Sequence, residues 1–369
     1  AIEATPPADQ VPMNDDLVEA VDPRDEYVAE AVKLASGDAA ARADLRIVLT
    51  AMHGVGASMT ARVLAEAGFA NVSLVAAQAE PDPDFPTVPF PNPEEAGALD
   101  MAIEQARAEG ADLIIAVDPD ADRCALAVPD PGAEAGWSPL SGDQIGCLLG
   151  EFLAARGLEG SLANSIVSSR LLTRIAEAHG LVHHTTLTGF KWIARAPKLA
   201  FGYEEAIGFC PNPQIARDKD GIASSVVAAS LFAALKVEGH TAWDELDRLA
   251  HAHGLHVTGP LTFRVEEIEQ IAAGMARLRA QPPSVLAGSP VVEVSDLSEG
   301  YRGLPPTDGV LVVTEAGDRV IARPSGTEPK LKCYLEVILP APKGEPVPWE
   351  AARERLELIK SEFGRIIGL

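Results

Sequence analysis

Between two apolar runs, the segment AVDPDADRCALAV (116–128) sets Asp118, Asp120 and Asp122 at alternate positions and follows them with Arg123. Like charges a few ångströms apart repel, and desolvating carboxylates is costly unless a cation or a donor compensates. The apolar run DLIIAV places the cluster at the C-terminal end of a buried strand, where open α/β sheets bind ligands. Four readings follow. A calcium loop of the EF-hand type needs Gly at position 6 and Glu at position 12; Arg123 and Pro129 stand there and exclude it. A phosphatase with Asp118 as nucleophile fits in part, but no later strand ends in the acidic pair that would complete its metal site. In a hard-cation clamp all three carboxylates hold one Mg²⁺, and Arg123 offers a planar fork to a phosphate. A solvated acidic turn is the bland alternative.

RPSGTEPKLKCYLEV (323–337) is the second chemical signal. Arg323, the hydroxyls of Ser325 and Thr327 and the backbone around Gly326 compose an anion nest, and Lys330 and Lys332 share one face of the strand that follows. Phosphate is the natural guest; a plain basic hairpin is the alternative. Weaker signals lie between. In FGYEEAIGF (201–209), Glu204 and Glu205 are either sugar-hydroxyl acceptors or a surface pair at a helix N-terminus. In TLTGFKWIA (186–194), Lys191 is either a snorkelling residue or a proton-transfer group. RDKDG (217–221) follows. HGVGAS (53–58) has the strand–turn–helix context of a dinucleotide loop, but Met59 occupies the third glycine position, so a tight turn without ligand is the preferred reading.

The elements that must position these groups follow from periodicity. Strands 45–52 and 111–117, with "VSLVAAQ" between them, alternate with helices at 27–36, 60–68 and 93–110; the proline-rich segment 81–93 is an ordered loop. A second block has helices at 145–157 and 171–180 and strands SIVSS (165–169) and HHTTL (183–187). This alternation predicts α/β architecture with two parallel-sheet domains. After His256 four strand segments with helices near 266–279 and 349–366 predict a smaller α+β domain. The expected boundaries are a linker over 1–25 and domains over 26–142, 143–255 and 256–369.

With 30 basic against 54 acidic residues the formal charge is −24, which disfavours nucleic acid and anionic lipid as partners. Scattered Cys124, Cys147, Cys210 and Cys333 indicate a reducing compartment, and no signal-peptide pattern opens the chain, so the cytoplasm and no membrane are expected.

In this order the motifs DPDADR, TGFKW, GYEEAIG and RPSGTEPKLK resemble the α-D-phosphohexomutase family of phosphoglucomutases, phosphomannomutases and phosphopentomutases. The wording is most similar to the branch of phosphopentomutase and the second type of phosphoglucomutase. The resemblance implies a phosphosugar mutase working through a bisphosphate intermediate, with glucose 1,6-bisphosphate as activator. It implies Asp118, Asp120 and Asp122 as Mg²⁺ ligands and catalytic roles for Arg123 and Lys191. Glu204 and Glu205 would meet sugar hydroxyls, and Arg323, Ser325, Gly326, Thr327 and Lys332 a phosphate. Ala206 stands where many members carry Ser. The family's TASHNP-like phosphoserine loop has no counterpart in this sequence. The expectation is therefore domains two to four, inactive alone, with a sugar phosphatase or a non-catalytic phosphosugar-binding protein as rivals.

Overall fold

The computed structural model describes residues 5–265, 267–325 and 329–368. In the first unit, α1 (Arg24–Val32) and α2 (Ala39–Asp44) precede β1 (Arg46–Thr50), α3 (Ala57–Glu66), β2 (Asn71–Leu74), α4 (Asp100–Glu109), β3 (Leu113–Val117), β4 (Cys124–Pro129) and β5 (Trp137–Pro139). Its sheet runs β2-β1-β3-β4-β5; the first three strands are parallel, but β4 and β5 are antiparallel additions. All five residues of β3 are buried, as its LIIAV sequence requires between two helical layers.

The second unit comprises α5 (Gly142–Ala154), β6 (Ser161–Ser165), α6 (Leu171–Ala178), β7 (Val182–Thr186), α7 (Phe190–Ile193), β8 (Leu199–Glu204), β9 (Gly208–Cys210), α8 (Gly221–Glu238) and α9 (Ala242–His253). Its sheet order is β7-β6-β8-β9, with β9 antiparallel. Both sheets are thus mixed, not purely parallel as the alternation of elements suggested. The strands that reverse direction follow the acidic loop and the EEAI turn, so these loops are themselves the reversals. The strand expected over 165–169 is also corrected. The strand is β6, and Ile166 and Val167 are buried in the following turn against Leu297, Leu311 and Ile321 of the C-terminal sheet. Their hydrophobicity encodes an inter-unit contact.

Helix α8 is long and apolar enough to cross a membrane, yet 72% of it is buried inside the protein, where it packs on α3, β3 and β4 of the first unit. Asp220 caps it by accepting from the Ala223 N–H, and Gly239 ends it in the left-handed region. One continuous core therefore joins the first two units, with members from Val28 to Leu249.

The C-terminal unit holds β10 (Leu255–Arg264), α10 (Ile268–Ala280), β11 (Val285–Leu286), β12 (Ser289–Asp296), β13 (Val310–Thr314), β14 (Arg319–Pro324), β15 (Lys330–Leu339) and α11 (Trp349–Ile367). Its six-stranded sheet runs β10-β15-β14-β13-β12-β11, and α11 covers it with Leu356, Ile359 and Phe363.

Candidate phosphosugar and metal site

Strand β3 delivers Asp118 into a loop that reverses into β4. Ala121, at φ 61°, makes the reversal, and its N–H donates to the Asp118 carbonyl at 2.9 Å. One ligand oxygen from each of Asp118, Asp120 and Asp122 can be chosen so that all lie within 4.8 Å of one another. The Gly turn of HGVGAS holds this loop rather than a ligand. Val55 N–H donates to the Pro119 carbonyl at 2.9 Å, and a Cβ on Gly54 would stand 2.4 Å from Pro119 Cα. On the other side a Cβ on Gly221, at the start of α8, would meet the Arg123 carbonyl at 2.3 Å.

The electrostatics of the loop are those of an acid cluster only partly compensated by Arg123 and Lys219. Burial pushes the Asp118 carboxyl up to about 6, with Asp120 and Asp122 adding to it and the Arg123 N–H, which donates to Asp118 Oδ1 at 3.0 Å, pulling down. Arg123 Nε stands 3.8 Å from both Asp118 and Asp122 and is buried without a hydrogen-bond partner. Three convergent carboxylates suit a hard divalent cation, which would offset this repulsion, so the residues fit a metal ion. Lys219 of RDKDG, to which the sequence assigned no role, places Nζ 2.8 Å from Asp122 Oδ2. Burial works against its charge, but Asp122 and Asp218 outweigh this and hold Lys219 above its ordinary value.

Glu204 ends β8, and Glu205, Ala206 and Ile207 turn the hairpin into β9, with Ile207 at φ 53°. The pair is therefore not a helix N-terminus. The hairpin is tied to the acidic loop by Cys124 N–H donating to the Ile207 carbonyl at 3.1 Å. The two glutamates diverge. Burial, then the Glu205 charge, push Glu204 up to about 7 against Lys219 and Arg123. Glu205 accepts from Ser165 and Ser168 hydroxyls at 3.1 Å each and lines the central cleft. Lys191, on the one-turn helix α7, is exposed and lies outside that cleft.

In the C-terminal sheet Arg323 of β14 faces Lys332 of β15 across the ladder, and the Ser325 N–H donates to the Lys330 carbonyl at 2.9 Å. Among the described residues Arg323 Nε is buried without a hydrogen-bond partner. Gly326 and Thr327 lie outside the described residues. The edge strand β10 adds Arg264 opposite Lys330 and Thr262 opposite Lys332. Sequence reasoning missed Arg264 because only strand register brings it to the lysines.

A cleft of about 840 Å³ joins the three units. Asp118 and Arg123 line it from the first, Glu205 from the second, and Arg264, Lys330 and Lys332 from the third. The proline-rich loop of the first unit forms a further wall, contributing Asn92 and Glu94.

Three family models match in succession: phosphoglucomutase/phosphomannomutase alpha/beta/alpha domain II over 25–132, alpha/beta/alpha domain III over 141–251 and the C-terminal domain over 255–343. A Haemophilus influenzae relative described as a probable phosphomannomutase is 43% identical over 328 residues, covering 88% of this chain and 65% of its own length. A Staphylococcus haemolyticus phosphoglucomutase is 36% identical, covering 87% and 62%, and a human phosphopentomutase is 31% identical, covering 86% and 57%. The chain thus spans less than two thirds of the length of these relatives. The crystal structure of Paramecium parafusin, a phosphoglucomutase, shares the fold at a TM-score of 0.70 and 19% identity, covering 95% of this chain and 64% of that one. The chain belongs to the phosphoglucomutase/phosphomannomutase (α-D-phosphohexomutase) family, whose second, third and fourth domains it matches in order.

Proposed function

We propose that this chain forms the metal-, sugar- and phosphate-binding part of a cytoplasmic phosphosugar mutase that interconverts 1-phosphates with 6- or 5-phosphates of hexoses or pentoses. One observation carries the reading. A single cleft takes Asp118 and Arg123 from one unit, Glu205 from the next and Arg264, Lys330 and Lys332 from the third, with Asp120 and Asp122 beside Asp118 and Arg323 opposite Lys332; among the described residues Arg123 and Arg323 each keep a buried guanidinium nitrogen without a hydrogen-bond partner. Those nitrogens suit phosphate at two poles. A sugar phosphate has one phosphate and hydroxyls; its bisphosphate has two phosphates and would occupy both poles. A structural neighbour from Aspergillus fumigatus, an N-acetylphosphoglucosamine mutase, is in complex with glucose 1,6-bisphosphate, consistent with such a two-ended ligand.

In this reading Asp118, Asp120 and Asp122 hold Mg²⁺, which supplies charge neutralisation for the transferred phosphoryl group. Arg123 binds that phosphoryl group. Arg323, Ser325, Gly326, Thr327 and Lys332 grip the other phosphate, and Glu204 and Glu205 orient the ring through hydroxyls. Lys191 is exposed on α7 and lies outside the cleft, so its catalytic role requires α7 to approach the bound sugar. The phosphoryl-bearing serine comes from a segment outside these residues.

Calorimetric titration of the chain with glucose 6-phosphate tests the reading. Arg323→Ala is expected to weaken binding about ten- to a hundredfold, the factor that a lost charge-assisted hydrogen bond of ~1.4–2.8 kcal/mol implies. Unchanged affinity would leave the C-terminal turn a basic hairpin and remove the substrate assignment.

A further inference from the structure

We propose that Glu94 is a sugar-recognising residue of the cleft: it accepts hydroxyls of the bound phosphosugar and disfavours bare phosphate. The inference rests on the cleft being a phosphosugar site and concerns a segment to which no motif assigned chemistry.

The proline-rich loop is built to present this side chain. Thr87 Oγ1 accepts from Gln78 Nε2 at 2.9 Å and pairs with His53 Nε2 at 2.8 Å, and the Asp82 N–H donates to the His53 carbonyl at 3.0 Å. His53 belongs to the Gly turn that holds the acidic loop, so the two loops are tied to one another. Nearer the cleft, Pro91 and Pro93 restrict the backbone on either side of Asn92. Asn92 Oδ1 then accepts from the Glu94 N–H at 3.1 Å, and its carbonyl from the Glu95 N–H at 3.0 Å.

The carboxylate so placed faces charges from every working loop. Burial pushes its carboxyl up to about 7, with Arg123 of the acidic loop and Lys332 of the basic ladder pulling down and Glu205 of the hairpin and its neighbour Glu95 adding, so it is fully ionised only above that pH. Among the described residues it forms no ion pair within 4.0 Å with either cation, and its side chain is exposed within the cleft. A carboxylate on the wall of an anion site cannot contact phosphate favourably. It can accept bidentately from adjacent hydroxyls while Arg123 and Lys332 take the phosphate oxygens. The basic ladder alone reads only phosphate. Glu94 gives the cleft a means of separating a phosphosugar from inorganic phosphate, by attraction to one and repulsion of the other.

The test uses the full chain with Mg²⁺ at pH 8, where the Glu94 carboxyl is ionised, titrated separately with glucose 6-phosphate and inorganic phosphate. Glu94→Gln, an exposed and near-isosteric change, is expected to weaken glucose 6-phosphate about tenfold and to leave inorganic phosphate unchanged or two- to threefold tighter, so that selectivity falls tenfold or more. A parent that prefers glucose 6-phosphate and a variant that keeps the same preference would overturn the role of Glu94 alone. A parent with no preference for the phosphosugar would overturn both this role and the reading of the cleft.

Discussion

One face of β15 carries two opposite arrangements of charge, one buried and one open. Lys330, Lys332, Tyr334 and Glu336 point the same way, because strand side chains alternate. At the Glu336 end the carboxylate is answered on every side, although Arg319 Nε is itself buried without a hydrogen-bond partner among the described residues. The fully buried carboxylate accepts from Ser169 Oγ, Arg170 N–H, Arg170 Nε and His256 Nδ1 at 2.7–2.9 Å, and Arg319 NH2 stands 3.1 Å away. Arg319 also donates to the carbonyls of Ile166 and Ser168, joining the second unit to the third. Burial opposes ionisation of Glu336, but Arg319, His256 and Arg170 outweigh it and hold the carboxyl well below the usual range. Four residues along, cation faces cation: Arg323 lies opposite Lys332 and Arg264 opposite Lys330. Like charges directly across a ladder are destabilising. The difference teaches that charge at the knot is structural, whereas charge at the open end is arranged for an anion that arrives from outside.

The largest test of this contrast removes Glu336. Glu336→Gln leaves Arg319 buried with part of its charge unanswered and should cost roughly 3–5 kcal/mol, the usual penalty for breaking a buried pair from one side. Arg323→Ala, by contrast, should leave urea-induced unfolding unchanged or make the chain slightly more resistant. A loss below about 1 kcal/mol for Glu336→Gln would place both ends of the strand in one class.

A smaller effect sharpens the comparison at the acidic pole. Asp120 is exposed, and removing its charge relieves repulsion within the triad. Asp120→Asn should therefore weaken Mg²⁺ about tenfold or more, ~1.4 kcal/mol, without lowering the stability of the metal-free chain. Equal Mg²⁺ affinity in calorimetry would end the clamp interpretation.

How far the sequence could be read follows the same division. The LIIAV strand and its acidic end were legible because a run buried on both faces leaves no alternative period. The basic ladder was legible only in part. Lys330 and Lys332 lie two apart in sequence, but Arg264 comes opposite Lys330 from a strand 66 positions earlier, and no local pattern encodes that pairing. Ile166 and Val167 misled for a related reason, since their apolar character belongs to the surface between units. The antiparallel strands β4 and β9 were obscured because their turns are the chemical loops. DPDADR and EEAI were read for their carboxylates, and the reversal of chain direction within each went unread. Glu94 was misread: helical periodicity assigned 93–110 to one helix, whereas α4 starts at Asp100 and Glu94 lies in the turns before it.

The finest distinction is in pH, and it lies where the two regions meet. Asp143 lines the cleft, yet its Oδ1 accepts from the Ser169 N–H and the Tyr203 hydroxyl at 2.6 and 2.9 Å, beside the knot. Burial pushes its carboxyl up to about 6, with Glu205 and Glu336 adding and the Ser169 N–H and Thr258 hydroxyl pulling down; Arg319, Cys147 and Tyr203 complete its surroundings. An unfolded Asp titrates near ~3.9. The folded state therefore binds the Asp143 proton more tightly, and this contribution to stability is full below the unfolded value and lost as pH rises through about 6. Between pH 7 and pH 5 it should raise the unfolding free energy by roughly 1 kcal/mol. Glu336 has the opposite sign. Its carboxyl is depressed, so its contribution is present above ~4.3 and lost only as pH falls further, leaving the window from 5 to 7 silent. The measurement is the difference in unfolding free energy between pH 5 and pH 7, for the parent and for Asp143→Asn. Other raised carboxyls are common to both chains and cancel. Asp143→Asn should lose roughly 1 kcal/mol of the rise seen in the parent. Identical pH dependence in the two chains would mean that Asp143 is already ionised across this window and belongs with the satisfied charges of the knot.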